Sequence, residues 1–194
     1  MIMFLKRNAL KALMTRAYKG GGLSVRNDGV GLSIGGAKWC VYFIHGDIPK
    51  ETLGDLISLV GELPAKGESY VADKNGNQME IFDDTMDSPM DLNGEKELTV
   101  LPLVACGNLG VLRDPDTGRI VPVPVGCLHA IDFGGLAEDE ETPEGPFGIA
   151  GLVEGRFYNA ALWQNSRMAY SIGEFRSDDQ GTKDLLASLE SMPI

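Results

Sequence analysis

The chain has 194 residues, 43% hydrophobic and 23% charged, a globular composition with enough length to bury a core without disulfide or metal staples. Its 28 acidic and 17 basic residues give a net charge of -11, which excludes a broadly basic surface that grips nucleic acid non-specifically. No apolar run approaches the ~20 residues of a membrane span, and three cysteines without a CxxC pair argue against a disulfide framework and for a reducing, cytoplasmic setting.

The N-terminal segment reads as an amphipathic helix. Leu5, Ala9, Leu13 and Ala17 fall four apart, with Leu10 and Met14 beside them, and Gly20 to Gly22 supply a stop. Apolar residues precede Lys6 and Arg7, the reverse of a secretory leader. The period then becomes strand-like. Leu23 to Arg26 alternates, and Asn27-Asp28-Gly29 is a turn. Val30 to Ile34 and Lys38 to Ile44 follow as strands, the second apolar on both faces and therefore central. Pro49 opens a second helix near 49–61, with Leu53, Leu56, Ile57 and Val60 at helical spacing and Gly61 and Pro64 ending it. Ser69 to Ala72 and Gln78 to Phe82 form a hairpin across Lys74-Asn75-Gly76-Asn77. Residues 1–82 thus read as an α-β-β-β-α-β-β lobe.

Residues 83–97 are acidic, sparse in apolar residues and interrupted by Pro89 and Gly94, and are read as an exposed connection. Residues 98–194 form a strand-rich segment, packed with the first as one domain or standing as a second lobe. Leu98 to Ala105, Gly110 to Arg113 and Arg119 to Val125 are strands, the last at an edge because Pro122 and Pro124 lack N–H donors. Asp114 to Gly118 is a turn. Leu128 to Phe133 is a further strand, and Gly134 to Gly148 a long acidic loop. Phe157 to Gln164 and Arg167 to Phe175 form a hairpin across Asn165-Ser166. A capping box of Ser177 and Gln180 opens a C-terminal helix with Leu185, Leu186, Leu189 and Met192 on its apolar stripe. The expected fold class is α+β, with antiparallel sheets built from hairpins, an N-terminal helix, a second near 49–61 and a C-terminal one.

Catalytic motifs are weak. Gly31, Gly36 and Lys38 imitate a phosphate loop only loosely, and they lie among strands rather than at a strand-to-helix turn. Cys40, His45, Cys106, Cys127 and His129 are the soft ligands and nucleophiles, without the paired spacing of a zinc site. On a strand, Cys127 and His129 share one face. No catalytic residue, metal or cofactor is assigned, and no run of residues carries a family motif. A hydrolase using cysteine or a metal is the enzyme alternative, and an assembly protein joined through strand edges is a third reading.

Charge is distributed unevenly. Residues 1–26 hold Lys6, Arg7, Lys11, Arg16, Lys19 and Arg26 and no acid, leaving 11 basic and 28 acidic residues beyond them, a net of -17. Two acidic clusters stand out, Asp83, Asp84, Asp87 and Asp91, and Glu138, Asp139, Glu140 and Glu141. Such a surface is complementary to a basic protein, for example one that handles nucleic acid, which a small acidic inhibitor of the phage or mobile-element kind would occupy. Direct nucleic-acid contact is expected only through the basic helix, on Lys6, Arg7, Lys11, Arg16 and Lys19, and self-association is compatible with the strand edges.

Overall fold

The computed structural model describes residues 4–81, 96–132, 142–153 and 156–192. It is α+β, with antiparallel sheets and helices at both ends of the described chain. The elements in order are α1 (Arg7–Gly20), β1 (Leu23–Asn27), β2 (Gly31–Gly36), β3 (Trp39–Ile44), α2 (Lys50–Val60), β4 (Glu68–Asp73) and β5 (Gly76–Ile81). They continue with β6 (Lys96–Glu97), β7 (Thr99–Ala105), β8 (Leu109–Arg113), β9 (Ile120–Pro124), α3 (Val125–Leu128), β10 (Glu144–Val153), β11 (Arg156–Gln164), β12 (Met168–Gly173) and α4 (Gln180–Glu190).

Nine strands form one sheet in the order β5-β4-β1-β2-β3-β12-β11-β10-β6, and β7-β8-β9 form a second. The apolar character of β3 is explained by its place in the middle of the large sheet. Trp39, Val41 and Phe43 enter the main core, while Tyr42 packs on the reverse face with Leu162 and Ala169. Strand β3 pairs with β12 in the register Val41 to Tyr170, so one sheet draws on both halves of the chain.

The main core lies between the large sheet and a layer made of α1, α2 and the inner face of the small sheet. Leu10, Leu13 and Met14 of α1, Leu56 and Val60 of α2, and Leu112, Val121 and Val123 of the small sheet all join it. The small sheet's outer face gathers Ala105, Leu109, Val111 and Ile120, against which Leu186 and Leu189 of α4 pack. Helix α4 buries no residue fully, and Leu185 and Met192 of the expected stripe stay exposed. Arg113, itself buried, donates through Nη2 to the carbonyls of Glu190 and Met192, a cation at the helix's negative end. Glu190 Oε1 accepts the Ile120 N–H at the β9 edge, 3.0 Å away.

Several local expectations change. Of the expected Leu128 to Phe133 strand, Phe133 lies outside the described residues and 128–132 is not a strand: Pro124 ends the β9 ladder and α3 follows, with His129 N–H donating to the Val125 carbonyl. A short apolar run cannot by itself separate strand from helix. Among the described residues of this segment, only Ile131 retains a bridge, to Leu5. The α4 cap is Asp179 rather than Ser177; its carboxylate accepts the Thr182 N–H at 2.7 Å, while Ser177 Oγ accepts from Asp179 N. Gln180 donates to Asp184 instead of closing a box. In the β4–β5 hairpin the turn is Lys74-Asn75, and Gly76, with φ +118°, already opens β5. Part of the expected 134–148 loop is strand, since β10 begins at Glu144.

Candidate functional site

Helix α1 carries the basic residues because its apolar stripe faces the sheet and leaves the other faces for charge. Two of the five do not point to an outside partner. Arg7 and Lys11, one turn apart, converge on Asp55 of α2, with Arg7 Nε at 3.0 Å from Oδ2 and Lys11 Nζ at 2.7 Å from Oδ1. Asp55 lies on the buried stripe of α2 beside Thr52 and Leu56. An acid at a stripe position, facing cations four apart on another helix, was the sequence signal for this pair. Lys6, Arg16 and Lys19 are exposed.

Hydrogen bonds from Arg7, then Lys11, hold the Asp55 carboxyl below its ordinary value. Both cations are about half exposed, so solvent screens these contacts and they stabilise far less than a sealed ion pair would. Depression of a folded-state carboxyl means the unfolded chain takes up the proton first. The contribution is therefore complete above the ordinary aspartate value near ~3.9 and is lost as pH falls through the lower folded value. Urea midpoints of wild type and Asp55→Asn should differ at pH 7 and converge as the pH falls well below 4; an equal gap at both ends contradicts the assignment.

All eight acidic candidates, Asp83, Asp84, Asp87, Asp91, Glu138, Asp139, Glu140 and Glu141, lie outside the described residues.

The structure separates the soft side chains. Cys127 is buried in the main core, whereas His129, two residues on at the α3 C-cap, is exposed. They therefore do not share a face as a strand would have arranged. His45 Nε2 lies 3.0 Å from Asn27 Oδ1, within the β1–β2 turn network. Among the described residues no three His, Cys, Asp or Glu side chains gather to hold a metal. Burial pushes the thiols of Cys40 and Cys127 up to about 11, against the opposing pull of Arg26 and Arg16 respectively. Cys106 is exposed. An aromatic disulfide reagent at pH 8 should thus modify one thiol quickly in the native protein, and Cys106→Ser should abolish that fast phase. A fast phase surviving this change would place a reactive thiol elsewhere.

A cleft of about 510 Å³ opens beside the C-terminal end of α1. Gly20 to Gly22 line one side, and the β2–β3 turn, through Gly36 to Lys38, lines the other. Buried Leu13, Trp39 and Cys127 form its deeper part, with exposed Arg16 and Lys38 at the rim. Gly22 has φ +111°, and a Cβ there would stand 2.2 Å from Val71 Cγ1, so only glycine closes this corner. The glycines singled out for phosphate binding thus serve a hairpin, Gly31 and Gly36 bounding β2. The cleft combines residues from four separate stretches of chain, which no local motif announces.

No family model matches the chain, and no curated protein is similar to it in sequence.

Proposed function

We propose that this is a non-catalytic acidic binding protein that engages a basic protein partner, in the manner of an inhibitor that occupies a nucleic-acid-binding surface. The observation that supports it is the segregation of charge: residues 27–194 carry a net of -17 while 1–26 carry only cations. Residues 83–91 and 138–141 supply the carboxylates, and long-range attraction speeds encounter with a cationic face. The inward turn of Arg7 and Lys11 to Asp55 adds weight to this side of the reading, since it leaves fewer free cations for a nucleic-acid contact through α1.

The test is capture from nuclease-treated lysate with a salt ramp, comparing wild type with Asp83, Asp84 and Asp87 reversed to lysine, and separately Glu138 to Glu141 reversed. A control reverses exposed Glu51, Glu62 and Asp178. A basic protein retained by wild type and the control, and lost with either cluster variant, is the expected result. Equal retention by all four proteins at low salt overturns it.

A further inference from the structure

We infer that the cleft beside the end of α1 is a binding site for a small organic anion, an acidic group on an apolar or aromatic body. Three observations converge on that chemistry. First, its charge runs against that of the molecule. In a chain with net charge -11, Arg16 and Lys38 line the cleft, and among the described residues no carboxylate does. Arg16 makes no hydrogen bond or ion pair with the described residues, and its Nη1 lies 3.8 Å from where a Cβ on Gly126 would stand, beside Cys127. Lys38 donates to a neutral acceptor, the Glu174 carbonyl at 3.1 Å, and meets no carboxylate among the described residues.

Second, an indole donor opens onto the cleft. Trp39 is 7% exposed, and its indole N–H bonds to nothing among the described residues. Its Nε1 would be 2.7 Å from a Cβ on Gly36, itself a lining residue, so the missing side chain there leaves this N–H uncovered. An acceptor on a bound molecule can take this N–H within an otherwise apolar wall. Third, the remaining wall is apolar, with Leu13, Ala17, Val71 and Pro124, and the volume falls in the range of small-molecule sites.

The end of α1 is the negative end of a helix, worth about half an elementary charge, and it opposes an anion. Two full positive charges on Arg16 and Lys38 outweigh it. A phosphate alone would leave the apolar wall unused, and a neutral hydrocarbon would leave the cations and the indole N–H unused. An amphipathic monoanion uses all of them.

The experiment is an ¹⁵N–¹H NMR titration of the full chain with 2-naphthoate, and with 2-naphthalenemethanol as the uncharged isostere. Saturable shifts are expected at Gly20 to Gly22, Gly36 and the Trp39 indole N–H. The alcohol, and naphthoate with the Arg16→Gln/Lys38→Gln variant, should bind about tenfold more weakly or worse, as loss of one charge-assisted contact implies. Gly20 is exposed with nothing within 4 Å of a Cβ, so Gly20→Trp obstructs the mouth without strain and should abolish the shifts while the rest of the spectrum keeps its dispersion. Equal affinity for acid and alcohol overturns the anion assignment. Shifts that survive Gly20→Trp, or no cleft shift up to about 10 mM, where binding would be weaker than about 3 kcal/mol, overturn the site.

Discussion

Trp163→Ala is expected to lower the unfolding free energy by about 3–5 kcal/mol. Trp163 is the largest fully buried side chain among the described residues, set on β11 in the main core. Its ring stands 6.5 Å from that of Tyr170, its cross-strand partner on β12. Tyr170 in turn donates its hydroxyl to the Cys127 carbonyl at 3.0 Å, so the pair couples the large sheet to α3. Removing the indole leaves a cavity bounded by a rigid sheet, which collapses poorly. Trp163→Phe should be far milder. The Trp163 N–H is buried without an acceptor, and losing it relieves a penalty of about 1–3 kcal/mol that offsets part of the lost contact area. Urea unfolding of the three proteins, followed by far-UV circular dichroism, measures both differences. A phenylalanine variant as unstable as the alanine one would mean that the N–H is satisfied.

The second large effect is steric, and a control of opposite sign comes with it. A Cβ on Gly31 would stand 2.4 Å from the Phe43 carbonyl oxygen and 2.4 Å from the Tyr42 ring and hydroxyl. Neither can yield. The carbonyl belongs to the β2–β3 ladder, and Tyr42 is buried with its hydroxyl donating to Asp28 at 3.0 Å. Asp28 also accepts the Gly31 N–H at 2.6 Å, which fixes the turn from the other side. Gly31→Ala should therefore cost about 1–3 kcal/mol or more. Gly54 is the counter-case. It lies exposed in the interior of α2 with nothing within 4 Å of a Cβ. Gly54→Ala should raise stability by about 0.5–1 kcal/mol, through helix propensity alone. Thermal melts of the two variants should move in opposite directions, and a loss on both would mean that Gly54 meets a neighbour.

What could be read in the sequence was the local part of this fold. Alternation, turn chemistry and helical spacing placed α1, α2, α4, the β1–β2–β3 meander and the β11–β12 hairpin close to their observed bounds. The central position of β3 followed from its two apolar faces. Failures came where one local signal fitted two structures. Leu128 to Phe133 is apolar enough for a strand, but the proline before Val125 starts a helix turn instead. Ser177 and Asp179 are both competent caps, and the register of α4 on the small sheet, anchored by Arg113 and Glu190, selects the second. Long-range features were invisible for a different reason. Asp55 meets cations 44 and 48 residues away, and the cleft joins Arg16, Lys38, Val71 and Cys127, which no window of sequence contains together.

The seam between β3 and β12 has a consequence for synthesis. Ile44 leaves the ribosome before Met168 by 124 residues of chain, roughly 6–25 s at ordinary elongation rates. Throughout that interval the nascent chain holds β1, β2 and β3 with no neighbour on the far side of β3. That unpaired strand carries Trp39, Val41 and Phe43 on one face and Tyr42 on the other. The half-made sheet is thus a sticky ribbon with its most apolar strand outermost, a template for pairing with another ribosome's product. Polysomes translating this message densely should place such ribbons side by side, with residues 39–44 unpaired on one edge until β12 arrives.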